Sequence, residues 1–446
     1  MFLSKLSKFS LSLGLLSLII ILIYTGEIFL FPLYLLFCLL GFLLYRNKTE
    51  RQFFFISLSI SLLFIPFFTY SYIQETGFPF RPGGDAQYYY ESFIDSLNIL
   101  YNNMLSGRYA FYIYIGHVYY KVINILTHST SYIYFVFLTM FISSNTAPLL
   151  YKLGYEKFNE KNLLYACLMT CFFPSLIQSN TAILREGMVI APIMYCVYLS
   201  SKQSSVKNVL LFVLTLIYIL NIRFEMGVVV IIFYILYNMV FVSKKNINAI
   251  KIIMIITFII LSISSLRYIR SLDNMNYWSL ENKIEHLKEK SLAINGSESS
   301  LSTSLRQGGI FSKTILFFYC MYVPVPPDIT VSPNLYNGFL AIGNILWYFI
   351  LPISIIAMIK DIKAKSTTCN FSKSFLITFI SAILMISLTY LGSERLKLYL
   401  YPILFIYFFN YLNSHTRREN FNMFRNLSLI YFLCFIVYMR IKYIFL

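Results

Sequence analysis

Charge is scarce in this chain. Only 12% of its 446 residues are Asp, Glu, Lys or Arg, about half the fraction of a soluble domain. That shortage excludes an ordinary water-facing globular surface. Histidine is rarer still, at four widely spaced residues. The seven cysteines (38, 167, 171, 196, 320, 369 and 434) include no CxxC pair. Neither a zinc site nor a disulfide framework is indicated, and no metal or cofactor is expected. Cys167 and Cys171 lie four apart in an apolar run and read as small core residues. No soluble domain and no internal repeat stands out. No small-residue cleavage site follows the amino-terminal apolar run, so Lys5, Lys8 and the stretch from Leu11 read as an uncleaved first span.

What fills the chain instead is apolar. It is 58% hydrophobic and 19% aromatic, with a mean hydropathy of +0.68. Repeated runs near 20 residues read as membrane-spanning helices. The expected fold class is an all-α polytopic membrane protein with about thirteen transmembrane helices, one integral domain over residues 1–446. The expected spans are residues 9–24, 28–45, 53–72, 131–150, 162–179, 188–200, 208–222, 226–243, 250–266, 336–359, 373–391, 398–412 and 427–445. Outer segments at 73–130 and 267–335 interrupt them. The Tyr-rich run 109–126, with His117 and Lys121, reads as an interfacial amphipathic helix, because only then do the later lysine loops fall inside. Prolines 324, 326 and 327 cannot continue a helix, so 310–335 reads as a re-entrant or interfacial hairpin.

The net charge of +17 marks inward-facing loops rather than a nucleic-acid partner, since Lys and Arg collect on the cytoplasmic side. The bilayer is the partner this composition implies. The arginines do not follow that rule. On the outer loops and span ends stand Arg81, Arg108, Arg185, Arg223, Arg267, Arg270, Arg306 and Arg395. Several have a carboxylate close in sequence: Arg185 with Glu186, Arg223 with Glu225, Arg395 with Glu394, and Arg81 with Asp85. A charge at membrane depth costs about 2.5–3.5 kcal/mol even on lenient scales, so these residues should line a polar cavity. Arginine's planar fork holds phosphate oxygens in pairs and keeps its proton. A lipid-linked diphosphate at the outer surface would use Arg81, Arg185, Arg223, Arg306 and Arg395. Asp85, in the glycine-bent loop Arg81-Pro82-Gly83-Gly84-Asp85, is placed to take a proton from an attacking sugar hydroxyl. Glu186, Glu225 and Glu394 are competing candidates for that base. Gln87 and Tyr88 are candidates to bond to or stack on a sugar. The bland alternative is equally weighted for any one pair: an internal ion pair that ties span ends together. Arg267 and Arg270 favour a solvated loop, Glu281–Lys290 a solvated helix face, and His117 and His128 an interface role.

The outer Gly-Asp-x-x-x-Tyr loop followed by an interfacial helix resembles the multi-span C-type membrane glycosyltransferases. Phe172-Phe173-Pro174-Ser175-Leu176-Ile177-Gln178-Ser179 leading to Leu184-Arg185-Glu186 is similar to the Wzy-type polymerases of bacterial O-antigen and capsule. So are Ile222-Arg223-Phe224-Glu225 at the opening of a span, Arg395 ahead of Pro402, and the Pro324-Val325-Pro326-Pro327 hairpin. Here Asp85 is followed by Ala-Gln rather than a second acid, and Arg185 by Glu. The resemblance implies polymerisation of undecaprenyl-diphosphate-linked oligosaccharides into lipopolysaccharide or capsule at the outer face of the bacterial inner membrane. It also implies a chain-length regulator and a flippase as working partners. Two alternatives stay open: a transferase adding one sugar from a polyprenyl-phosphate donor, and a lipid-linked oligosaccharide flippase.

Overall fold

A computed structural model of the chain describes residues 2–77, 79, 85–94, 110–202, 205–241, 317, 321, 335–389 and 394–445. Span 250–266, all of the hairpin at 310–335 but residues 317, 321 and 335, the Glu281–Lys290 stretch, and Arg81, Arg108, Arg267, Arg270 and Arg306 lie outside the described residues.

Among the described residues every regular element is helical. In order they are α1 (Phe2–Thr25), α2 (Leu30–Leu44), α3 (Lys48–Thr76), α4 (Asp85–Ile94), α5 (Ala110–Thr127), α6 (Ile133–Ser143), α7 (Thr146–Gly154), α8 (Glu160–Phe172) and α9 (Pro174–Asn180). There follow α10 (Arg185–Ser201), α11 (Val206–Ile222), α12 (Phe224–Ile235) with a π-helical turn Leu236–Phe241, and α13 (Leu335–Lys363). The last are α14 (Cys369–Thr389), a 3₁₀ segment Glu394–Leu400, α15 (Tyr401–Ser414) and α16 (Arg417–Phe445).

Four stretches among the described residues are long and apolar enough to cross a membrane: Phe2–Thr25, Lys48–Gln74, Ile133–Gly154 and Ala341–Lys363. The pair α8 and α9, bent by 54°, makes a fifth if it counts as one span. Leu30–Leu44, Val206–Ile222, Phe224–Asn238 and Cys369–Leu384 are apolar but shorter. At 1.5 Å per residue, a helix of 15 residues reaches about 22 Å, less than the ~30 Å hydrocarbon core. The chain is therefore an all-helical, membrane-associated protein, and hydropathy alone places more crossings in it than helix length does.

Local chemistry sets the helix ends. Asn47 caps α3 by accepting from the Thr49 amide at 2.8 Å. Gly77 closes that helix in the left-handed region, at φ 74°. Pro174 sits in the first turn of α9 and cannot continue α8, so the chain bends at an extended Phe173.

Small residues bring the first helices together. Ser7, Ser10, Gly14 and Ser17 make one buried face of α1, and Ser57, Ser59 and Ser61 are buried on α3. A Cβ on Gly14 would lie 2.9 Å from that of Ser59. With lipid as solvent, this close approach supplies the van der Waals contact that holds helices together. The helices α4 and α5 pair in the same way, Gly116 lying against the Phe93 ring. His117 is buried there, with Nδ1 donating to the Phe93 carbonyl at 2.8 Å. It ties α4 and α5 together.

The hub of the molecule is α10. It packs against α6, α7, α9, α11, α12 and the 3₁₀ segment. Its carboxyl-terminal end lies near Lys202, which pairs with Glu156 at 2.7 Å. Its amino-terminal end opens on Arg185 and Glu186.

Candidate functional site

Three chain segments distant in sequence converge where α10 begins. The helices α11 and α12 are separated by a single extended residue, Arg223, at φ −145° and ψ 92°. That break turns the chain and presents the Arg223 side chain to α10. The 3₁₀ segment brings Tyr399 to the same place. Gly187 permits the approach: a Cβ there would lie 2.6 Å from both the Ser179 carbonyl oxygen and Thr139 Cγ2.

Arg223 and Glu186 form a buried ion pair, with Nη2 donating to Oε1. Their side chains are only 7% and 8% exposed. Arg185, equally buried, donates from Nη1 to the Ile222 carbonyl at 3.3 Å. Charge and helix ends agree here. Glu186 sits in the first turn of α10, where the macrodipole is positive, and Arg185 meets the negative carboxyl end of α11. Neither α10 nor α12 has a side-chain cap at its amino terminus.

An aromatic wall covers Arg185. Its guanidinium lies 5.6 Å from the centre of the Tyr89 ring, on α4. Tyr89 meets Tyr112 of α5 edge-on, with ring centres 4.8 Å apart. Burial pushes the Tyr112 phenol well above its ordinary range, reinforced by Tyr89 and Glu186, with Arg185 opposing. That phenol is a neutral group. On the far side, Tyr218 donates to the Met188 carbonyl at 3.4 Å.

A small cavity opens beside the ion pair. Glu186, Arg223, Tyr399 and Met226 line it, with Val189, Ile190 and Ile193 of α10. The Tyr399 hydroxyl is buried and has no hydrogen-bond partner among the described residues. Nearby, the Met321 carbonyl accepts from Trp347 Nε1 at 2.9 Å and from the wholly buried Lys397 Nζ at 3.4 Å.

The structure thus brings Arg185, Glu186 and Arg223 together, but with different partners from those their sequence neighbours suggest. Glu186 pairs with Arg223, from another helix end. Adjacent helical residues point about 100° apart, so Arg185 and Glu186 leave the helix in different directions. Glu225 is half-buried on α12, close enough to Tyr399 to act on it electrostatically. Gln87 is bonded to Glu91 on the surface of α4, at 2.6 Å. Tyr88 is exposed, while Tyr89 is turned inward to Arg185. Asp85 is the first residue of α4, and Glu394 and Arg395 open the 3₁₀ segment. The side chains of those three, like the whole of Arg81 and Arg306, lie outside the described residues.

Sequence reading names Tyr89 as the tyrosine of the Gly-Asp-x-x-x-Tyr loop but does not join it to Arg185, and it assigns no site role to Tyr112, Lys397 and Tyr399. The last two are absorbed into a turn and an apolar run, and only placement distinguishes them. Among the described residues no three His, Cys, Asp or Glu side chains gather as metal ligands would. Comparison of the chain with protein-family models, with curated proteins and with solved structures gives no match.

Proposed function

We propose that the chain is a polysaccharide polymerase of the bacterial inner membrane, with about thirteen spans. It joins undecaprenyl-diphosphate-linked oligosaccharide repeat units into O-antigen or capsule at the outer face. The observation that carries this reading is the buried cluster of Arg185, Glu186 and Arg223 at one end of the bundle. It lies at the opposite end of α10 from the Lys202–Glu156 pair. Orientation needs no arginine there, and arginine at depth is costly unless something anionic uses it.

The reaction asks little covalent chemistry of the protein. A sugar hydroxyl on the incoming unit attacks the anomeric carbon of the growing chain. The bond from that carbon to the diphosphate oxygen breaks, and undecaprenyl diphosphate leaves with the electron pair. The hydroxyl proton passes to a carboxylate. Asp85 is the first candidate, because its loop adjoins α4, whose Tyr89 covers Arg185. Glu225, Glu394 and Glu186, the last paired with Arg223, are the alternatives. Arg185 and Arg223, joined in this reading by Arg306 and Arg395, stabilise the charge that grows on the leaving diphosphate. A chain-length regulator and a flippase complete the pathway.

The test is a glycan ladder. In a host lacking the gene, the wild-type chain restores a ladder of repeats. Complementation with Arg185→Ala or Asp85→Ala leaves one repeat unit on the lipid acceptor. A full ladder from an Arg185→Ala protein present at normal levels would sink the site. A ladder of normal length with altered mobility in the host lacking the gene would identify a single-sugar transferase instead.

A further inference from the structure

Two buried tyrosines on one stretch of chain have opposite fates. Tyr407, on α15, places its hydroxyl 2.8 Å from Ser372 Oγ. Tyr399, on the 3₁₀ segment just before α15, has its hydroxyl buried with no hydrogen-bond partner among the described residues. A buried hydroxyl left unsatisfied is costly, so native structures rarely keep one without a reason. Tyr399 lines the cavity shared by Glu186 and Arg223. The cavity's free space is close to that of one water molecule, or of one oxygen atom on a larger group. Its remaining walls are Val189, Ile190, Ile193 and Met226, which supply no side-chain acceptor. The phenol needs an acceptor, which the Glu186 carboxylate on the same wall does not supply, and a ligand oxygen placed there would also meet the Arg223 guanidinium. Two helices, α10 and α12, begin next to the cavity without side-chain caps, and helix amino termini attract phosphate oxygens.

We propose that the Tyr399 hydroxyl donates a hydrogen bond to a non-bridging oxygen of the bound lipid diphosphate, a role that rests on reading this end of the bundle as a lipid-diphosphate site. One phosphate oxygen enters the cavity between the phenol and the Arg223 guanidinium. Tyr399 is therefore a substrate-binding residue that makes its bond only when the lipid is present. Removing its oxygen weakens the complex and takes nothing from the lipid-free protein.

The experiment uses the full chain in lipid nanodiscs, with undecaprenyl diphosphate as the probe. Tyr399→Phe should bind it about tenfold more weakly than wild type, the effect of roughly one charge-assisted hydrogen bond. Its melting temperature without the probe should equal or exceed that of wild type. Tyr407→Phe should do the reverse: it melts earlier and binds the probe normally. Equal affinity of Tyr399→Phe and wild type overturns the proposal, and so does a wild-type protein that does not bind the probe. A Tyr399→Phe protein that melts early with normal affinity also overturns it, since the hydroxyl would then serve the fold or a bound water. Failure of the polymerase reading looks different. There the glycan ladder survives Arg185→Ala, while probe binding still depends on Tyr399.

Discussion

Two ion pairs sit at opposite ends of α10, and they differ in almost everything but their chemistry. Lys202 and Glu156 meet at 2.7 Å with side chains 31% and 64% exposed. Arg223 and Glu186 are bonded with both side chains nearly sealed. An exposed pair gains little, because water and salt screen it. A buried pair must offset the desolvation of two charges, and a hydrophobic substitute would often be as stable. The Lys202 pair is what orientation and solubility lead one to expect. The Arg223 pair has no such cause, and a binding role supplies one. Beside it stands a hydroxyl with no partner among the described residues, whereas at the Lys202 end a carboxylate is held by three hydroxyls. There Asp361, late in α13, accepts from Ser366, Thr368 and Ser372.

The largest expected effect breaks the buried pair. Arg223→Ala leaves Glu186 buried and uncompensated, which should cost about 3–5 kcal/mol, read as a lower melting temperature and lower yield. Combining Glu186→Gln with Arg223→Met should recover most of that stability without restoring polymer. Recovery of both would reduce the pair to a structural tie.

Next comes Asp361→Ala, which strips a carboxylate from three hydroxyl donors. A loss of about 1.5–3 kcal/mol is expected, with polymer length per folded molecule unchanged. A shortened polymer would extend the functional region to the other end of the bundle. Gly187→Ala should cost about 1–3 kcal/mol by overpacking against Ser179 and Thr139. It should also impair the ladder, because it displaces the start of α10.

Smaller effects belong to the Lys202 end. Burial lowers Lys157 to about 8 from an ordinary 10.5, with neighbouring Glu156 opposing the shift. Between those values the unfolded chain binds more protons than the folded one, so stability should rise with pH from about 8 to about 10.5. Below 8 both states carry the proton and the destabilisation is constant. Melting curves of wild type and Lys157→Met should therefore converge as pH climbs through that window. Smallest of all, Lys202→Ala should change stability by less than about 1 kcal/mol, and added salt should erase the difference.

Much of the fold is legible in the sequence because hydropathy and helix ends are local. The places of α1, α2, α3 and α5 and the turn at Gly26 and Glu27 follow from composition and breakers, although α1 and α3 begin seven and five residues before the expected spans. So does the position of Arg185, Glu186 and Arg223 where helices begin. Their partners are not legible. Glu186 reaches Arg223 on another helix, and nothing local says so. The choice of Tyr89 over Tyr88 depends on helix phase in α4. Tyr399 looks like any aromatic in an apolar run, and only its missing partner marks it. The expected span 162–179 runs through Pro174, whereas the chain breaks there into two helices bent by 54°.

The most direct measurement gives purified full-length protein an undecaprenyl-diphosphate-linked repeat unit and follows release of undecaprenyl diphosphate. Wild type should release one equivalent for each repeat unit joined, and folded Arg185→Ala should release little. Release by the variant at the wild-type rate, or none by wild type while oligosaccharide crosses the membrane, would contradict the polymerase assignment.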